Sequence, residues 1–246
     1  MLVEICVDDL DGALAAEGAG ADRIELCGDL LEGGITPSHG LIETVLASAS
    51  AIGVQIMVRP RGGDFVVSAS ERRVMQADLR AIGRLVAAAP VPVGVVLGVL
   101  RPDGQVDEAV LRELIDAAGG LPVTFHKAFD ETPDLLAAYD ALGRHGIARV
   151  LTSGGARTAD EGRGMLAELV RRSRRSGAPA VLAGGSVRAA NVGALLRSTA
   201  VSEVHLRAQT VIPDGSRLVT DEALVARTVH AVRSAERSGI TGERDA

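Results

Sequence analysis

The fold is indicated by residues 2–27, LVEICVDDLDGALAAEGAGADRIELC, which carry a short apolar run at each end. The two runs, Leu2–Cys6 and Arg23–Cys27, place aliphatic residues at every second position, and this period of two is typical of a β-strand. The segment between them is long enough for one helix. The stretch therefore predicts a strand, a connecting helix and a second, parallel strand.

The same unit recurs along the chain at intervals of about 25 to 35 residues, as in a protein built from βα-repeats. Six further strands are predicted at Val54–Arg59, Val93–Leu97, Val123–His126, Arg149–Thr152, Ala180–Ala183 and Glu203–Leu206. Helices between them include Ala69–Ala88, Asp107–Ala118, Pro133–His145 and Thr158–Ser176. Ser68, Asp107 and Thr158 stand where the N-caps of three of these helices are expected.

Eight parallel strands with intervening helices either close into a barrel or form an open sheet. The chain has 246 residues, close to the length of about 250 that a barrel needs, and no GxGxxG motif follows its first strand. We therefore predict an α/β fold, a single (β/α)8 TIM-type barrel over residues 1–238, followed by a polar tail at 239–246. Gln209–Thr220 is interpreted as a long loop over the barrel mouth.

The composition limits the classes of partner. A formal net charge of -6 disfavours binding to nucleic acid or to an anionic membrane surface, because both require basic patches. No run of about 18 apolar residues occurs, and the first residues lack the features of a signal peptide, so we expect a cytoplasmic protein. Apolar outer helices would allow a homo-oligomer.

Polar side chains are predicted to converge inside the barrel, because alternate residues of each strand face inward. The predicted inward set is Glu4, Cys6, Glu25, Cys27, Arg59, Thr124, His126, Thr152, Glu203, His205 and Arg207. Most of them lie at the carboxyl ends of strands, where barrel enzymes place their active sites. Interior ion pairs of purely structural value are the alternative.

Two carboxylates and two histidines in this set are candidates for acid–base chemistry. Glu4 and Glu25 are expected to be neighbours, with Arg59 or Arg61 as the intervening cation. They would form a proton-sharing pair, or a frame that orients an arginine. His126 and His205 are placed for acid–base work or for metal binding.

Glycine-rich turns follow three strands, at Arg61–Asp64, Thr152–Gly155 and Ala183–Ser186. The last two precede helices, so their backbone N–H groups are candidates for an anion-binding nest. The turn residues expected to contact a ligand are Thr152, Ser153, Gly154, Gly184 and Gly185. Tight-turn geometry alone would also explain these glycines.

The only cysteines, Cys6 and Cys27, end two adjacent strands with the same parity, so their sulfurs are expected to lie close together. Three interpretations stay open. The pair consists of small buried apolar residues, or it binds a soft ion such as Cu(I) with help from Met57, or it cycles between thiols and a disulfide.

Several segments resemble the CutC copper-homeostasis family, in order from Met1 to about Ala208. They are Val3–Cys6, Gly20–Cys27, Gly33–Ser38, Arg59–Phe65, Val123–His126 with Ala128–Asp130, and Arg149–Gly154. The resemblance implies a TIM-type barrel, a cytoplasmic location and a role in copper handling. It also implies that Cys6 and Cys27 are Cu(I) ligands, and it brings no accepted catalytic activity.

The sequence departs from the family pattern at two places. Lys127 stands where an arginine is usual, and His205-Leu206-Arg207-Ala208 replaces a stretch that usually carries small residues after the histidine. Arg207 thereby adds a cation at the mouth. Copper binding alone has little use for the polar residues around the mouth, which are Glu4, Glu25, Arg59, Arg61, Asp64, His126, Lys127, Asp130 and His205. The alternative prediction is therefore a lyase, isomerase or sensor for a small phosphorylated or carboxylated metabolite.

In that alternative, Arg59, Arg61 or Arg207 and the glycine turns would hold the anion. Glu4, Glu25 or His126 would move a proton.

Overall fold

The computed structural model describes residues 1–87 and 89–242. It contains a closed barrel of eight parallel strands in sequence order, in which β8 pairs with β1. The strands are β1 Leu2–Val7, β2 Arg23–Leu26, β3 Gly53–Met57, β4 Val93–Leu97, β5 Val123–Phe125, β6 Arg149–Thr152, β7 Ala180–Gly184 and β8 Glu203–Leu206. The predicted (β/α)8 barrel and its eight strands are confirmed.

Eight helices alternate with these strands. They are α1 Leu10–Gly18, α2 His39–Ser48, α3 Ala69–Val86, α4 Glu108–Ala117, α5 Leu135–Arg144, α6 Arg163–Ser173, α7 Ala189–Thr199 and α8 Glu222–Gly242. Short 3-10 turns occur at Leu30–Glu32 and Lys127–Glu131. No helix in the described ranges is long and apolar enough to cross a membrane.

Side-chain caps fix where several helices begin. Ser68 and Glu71 form a reciprocal capping box at the start of α3, and Asp107 caps α4, as predicted. The prediction for α6 is wrong, because that helix begins at Arg163 after the N-cap Gly162. Thr158 instead accepts the N–H of Glu161 within the turn that precedes the helix.

Two predicted segments extend beyond the residues that the structure describes. Ala88, the predicted end of α3, lies outside them, as do residues 243–246 of the predicted tail. The predicted mouth loop at Gln209–Thr220 folds into a two-stranded antiparallel hairpin, β9 Gln209–Val211 and β10 Leu218–Thr220. The hairpin continues directly from β8, so it lies at the same end of the barrel as the strand carboxyl ends.

The predicted alternation of faces governs the packing. Outward residues of the first two strands, Val3, Ile5, Ile24 and Leu26, are fully buried in the layer between strands and helices. Inward positions carry polar groups in the lower part of the barrel, as seen for Glu4, which pairs with interior Arg23 and His205. A separate apolar cluster of Cys6, Cys27, Leu30, Met57 and Val96 lies above them.

Candidate functional site

A cavity of about 230 Å³ opens at the carboxyl ends of the barrel strands. Its lining joins polar and apolar side chains from widely separated segments, which are Cys6, Glu25, Gly33, Met57, Arg59, Phe65, His126, Lys127, Leu151, Gly185, Ser186, Arg188, His205, Leu206 and Arg207. This volume lies below the roughly 300–1,000 Å³ of pockets for drug-sized ligands. A metabolite-sized ligand would fit it.

An ion network forms the floor beneath this cavity. Arg23 donates to Glu4 through Nε and to Glu203 through Nη2, the latter at 2.7 Å, and Arg149 Nε donates to the same Glu203 oxygen at 2.6 Å. Arg23 is only 5% exposed. The prediction that Arg59 or Arg61 is the cation between Glu4 and Glu25 is wrong. The strand register places Arg23 directly opposite Glu4, and His205 lies between the two carboxylates.

His205 connects this floor to the cavity. Its Nδ1 lies 2.8 Å from Glu4 Oε1, and its Nε2 lies 3.8 Å from Glu25 Oε2. Burial alone would lower the pKa of His205, but the charge of Glu25 and the contacts with Cys6 and Glu4 raise it well above its usual value. His205 is therefore an imidazolium at neutral pH, and the two glutamates approach each other around it.

Glu4 lies beneath the cavity and holds His205 in place. Burial would raise its pKa, yet the bonds from His205 and Arg23 hold it at about 2. Glu4 is 1% exposed and does not line the cavity, so it positions His205 and cannot touch a ligand there. Among the predicted acid–base residues, the cavity brings together Glu25, His126 and His205.

The two cysteines meet as predicted. Their sulfurs are 3.8 Å apart, and both thiols point to Glu25 Oε2, at 3.1 Å from Cys6 and 3.6 Å from Cys27. The contact with Cys27, burial and the charge of Glu25 raise the pKa of Cys6 well above its usual value. For Cys27, the bond from Cys6 lowers the pKa, but burial and Glu25 outweigh it and raise the value to about 11. Both residues are thus neutral thiols at neutral pH.

His126 presents a neutral imidazole to the cavity. Its Nδ1 accepts the backbone N–H of Ala128 at 3.2 Å, which assigns the ring proton to Nε2. Burial and the charge of Arg59 lower the pKa of His126 to about 3. The ring packs on Phe65, and only a glycine at position 98 leaves room for it, since a Cβ there would lie 2.5 Å from the ring.

Three of the residues that line the cavity each have a buried side-chain atom without a hydrogen-bond partner among the described residues. The atoms are Oε1 of Glu25, Nε2 of His126 and Nε of Arg59, and the side chains of Glu25 and His126 are more than nine-tenths buried. Buried polar atoms are normally paired, because an unmade hydrogen bond costs about 1–3 kcal/mol. A ligand that reached Glu25 and His126 from the cavity would supply the missing donor and acceptor.

The two arginines of the segment 59–64 have different roles. Arg59 lines the cavity, lies over the Phe65 ring and is held by the carbonyl oxygens of Gly34 and Gly63. Arg61 does not line the cavity, since its guanidinium binds Glu71 and Asp64 and so braces its own loop. Asp64 likewise belongs to that loop and not to the cavity wall.

The predicted anion nest at residues 152–155 is filled by the protein itself. The Asp130 carboxylate accepts the N–H groups of Ser153 and Gly155, and it accepts the Thr152 hydroxyl. Lys127 Nζ adds bonds to Asp130 at 2.7 Å and to Ser153 at 2.8 Å. Of the predicted residues here, Lys127 lines the cavity, while Asp130, Thr152, Ser153 and Gly154 lie behind it.

The inward placement of Thr152 is also wrong, because Leu151 is the residue of β6 that lines the cavity. Gly184 lies behind the wall as well, where a Cβ would be 2.6 Å from the Leu151 side chain. The turns after β7 and β8 reach the cavity through Gly185, Ser186, Arg188 and Arg207.

Comparisons with known proteins identify the family of this chain. Residues 1–210 match the model of the CutC family. The chain belongs to the CutC family. A family protein CutC of Mesorhizobium japonicum is 44% identical over 253 residues, covering 95% of each chain. A human relative named copper homeostasis protein cutC homolog is 40% identical over 216 residues, covering 88% of this chain and 76% of its own.

Solved structures support the same assignment. The putative copper homeostasis protein CutC of Streptococcus agalactiae superposes with a TM-score of 0.77 at 31% identity, covering 83% of this chain and 97% of its own. Phosphoribosylanthranilate isomerase of Thermotoga maritima gives a TM-score of 0.56 at 11% identity over 95% of this chain and 99% of its own. At that identity the likeness concerns the fold alone. The predicted CutC resemblance is confirmed.

Several residues of the site in this CutC chain were not predicted from the sequence, among them Arg23 and Arg188. Arg23 shares the parity of Glu25 and Cys27, and this signal could have placed it inside the barrel. Arg188 follows the Gly-Gly-Ser turn as the N-cap of α7, and its position after a strand end was the available signal. Both matter, because one anchors the floor and the other adds a cation to the rim.

Proposed function

We propose that this CutC-family chain is a cytoplasmic protein of copper homeostasis that binds Cu(I) through Cys6 and Cys27. The observation that carries the proposal is the distance of 3.8 Å between the two sulfurs. Cu(I) is a soft ion that prefers thiolate and thioether ligands. The names of the human and streptococcal relatives refer to copper homeostasis, which supports the same role.

The surroundings of the two sulfurs fit such an ion. Cys6 lines the cavity, which gives an entry path, and Met57 packs in the same cluster with its thioether. Both thiols must lose protons before they bind a metal, and their raised pKa values oppose this. The imidazolium of His205 and the guanidinium of Arg207 provide compensating positive charge nearby.

The test is an anaerobic titration of the reduced protein with Cu(I) in the presence of a competing chelator. We expect one ion per chain, and we expect stoichiometric binding to be lost in Cys6→Ser/Cys27→Ser. The apparent affinity should rise with pH by about tenfold per unit for each proton released. Thermal unfolding of the double variant controls for its folding. Weak binding, or binding that survives in the folded double variant, would refute the copper role.

A second function is favoured by Glu25 Oε1 and His126 Nε2, two of the four buried side-chain atoms that have no hydrogen-bond partner among the described residues. We propose that they act on a small anionic carbonyl compound. Glu25 takes a proton from the carbon beside the carbonyl, the C–H electron pair forms the enol double bond, and the carbonyl π electrons move onto its oxygen. His126 Nε2–H donates to that oxygen. Return of the proton to the opposite face of the same carbon completes an epimerisation. If that carbon carries a hydroxyl group, the hydroxyl proton passes to the enolate oxygen, the carbon-bound proton is delivered to the former carbonyl carbon, and the new carbonyl completes an isomerisation.

This chemistry predicts exchange of carbon-bound hydrogen with solvent. A panel of small phosphorylated and carboxylated α-hydroxycarbonyl compounds is incubated with the protein in D2O and followed by ¹H NMR. We expect at least one compound to exchange faster than without protein, and Glu25→Gln to slow this exchange by about 10²–10⁴-fold. Glu43→Gln, on the exposed side of α2, is the matched control. The proposal fails if nothing on the panel exchanges, or if Glu25→Gln matches the unaltered protein.

A further inference from the structure

The rim of the cavity carries more positive charge than its surroundings neutralise. Arg59, Arg188 and Arg207 line the cavity, and none has a carboxylate oxygen of another described residue within 4.0 Å. Within the described residues, the guanidinium groups of Arg59 and Arg188 bond only to backbone carbonyl oxygens. Lys127, by contrast, is already paired with Asp130. In a chain of net charge -6, this local surplus calls for an anion.

The surplus is greatest beside β7 and β8. Arg188 and Arg207 follow these strands, and the turn between β7 and α7 adds Gly185 and Ser186 to the cavity wall. The N–H groups of Gly185 and Ser186 donate to no acceptor among the described residues. In (β/α)8 barrels the loops after strands seven and eight are a common place for phosphate. Two guanidinium groups with adjacent backbone donors suit a dianion.

Glu25 and His126, which form the inner wall of the cavity, determine which functional groups the rest of the ligand must carry. Glu25 Oε1 is an acceptor without a donor, and His126 Nε2–H is a donor without an acceptor, within the described part of the chain. Glu25 is 3% exposed and His126 4% exposed. A hydroxyl group can satisfy Glu25, and a hydroxyl or carbonyl oxygen can satisfy His126.

From these contacts we infer that the cavity binds a small phosphomonoester, with its phosphate between Arg188 and Arg207 and a hydroxyl or carbonyl group against Glu25 and His126. The inference names the ligand class of the second proposed function and rests on it for the inner end of the ligand. It is independent of Cu(I), because the phosphate lies at the rim and the cysteines at the inner wall.

The inference is tested by calorimetric titration with inorganic phosphate and with glycerol 3-phosphate at low ionic strength. We expect saturable binding of both, with glycerol 3-phosphate tighter because it also reaches the inner wall. Arg188→Gln/Arg207→Gln should weaken both by at least about tenfold for each lost charge-assisted contact. Arg84→Gln removes one charge from the exposed last turn of α3, at the other end of the barrel, and should change neither.

Glu25→Gln separates the two ends of the ligand. It should keep inorganic phosphate binding and remove most of the preference for glycerol 3-phosphate. Absence of saturable binding to either probe, or equal binding by the arginine double variant, would overturn the inference. Exchange in D2O by a carboxylated compound without phosphate binding would leave the acid–base function standing and refute this inference alone.

Discussion

Replacing Arg23 with methionine is expected to destabilise the barrel by about 3–5 kcal/mol, because it leaves buried carboxylates without their main cation. Arg23 joins Glu4 and Glu203 inside the barrel, where its own side chain is 6% exposed and that of Glu4 is 1% exposed. Methionine keeps a similar length but donates no hydrogen bond. Urea-induced unfolding measures the change in free energy.

A surface ion pair supplies the matched control for this substitution. Arg233 pairs with Asp22 at 2.6 Å, with about a third of each side chain exposed. Exposed pairs contribute only about 0–1 kcal/mol, so Arg233→Met should be nearly neutral. If Arg23→Met costs no more than Arg233→Met, the interior network contributes little and the assignment is wrong. Adding Glu4→Gln to Arg23→Met should recover part of the loss, because one uncompensated charge is then gone.

The strands and their inward faces could be predicted, because a strand and the faces of its side chains follow from the alternation of residues within one segment of the sequence. The alternation in Leu2–Cys6 and Arg23–Cys27 correctly placed both cysteines and both glutamates inside the barrel. The pairing of those side chains could not be read in the same way, since it depends on the stagger between strands. That stagger sets Glu4 opposite Arg23 and Cys6 opposite Glu25.

Long-range contacts also decide what a glycine-rich turn does. The turn at residues 152–155 has free-standing N–H donors by its local pattern, yet Asp130, from the segment after β5, accepts two of them. The similar turn after β7 receives no such carboxylate from the described residues and stays on the cavity wall. Sequence identified both turns, but only the fold shows which one can accept an external anion.

The two cavity histidines predict a stability maximum near pH 6.5, since their pKa values shift in opposite directions. The folded chain keeps His126 neutral down to a pKa of about 3, whereas the unfolded chain binds a proton below about 6.5. Stability from this group is therefore lost as pH falls from about 6.5 towards 3. The folded chain keeps His205 protonated well above 6.5, so stability from that group is lost as pH rises above 6.5. On each side of the maximum, the free energy of unfolding falls by about 1.4 kcal/mol per pH unit for the histidine concerned.

Other titrating groups limit the pH range in which each histidine determines how the free energy of unfolding changes with pH. Glu4, with its pKa held at about 2, adds to the loss of stability below about pH 4.5, and the raised pKa values of Cys6 and Cys27 add to the loss above about pH 9. The free energy of unfolding should therefore be measured with urea between pH 4.5 and 9.

His126→Gln should flatten the acid side of the profile, and His205→Gln the alkaline side, whatever each does to the absolute stability. His39→Gln, at the exposed start of α2, controls for the loss of an imidazole and should keep both slopes. Unchanged slopes in both cavity variants would mean that neither histidine has the protonation state assigned to it, and the donor role of His126 would fall with that result.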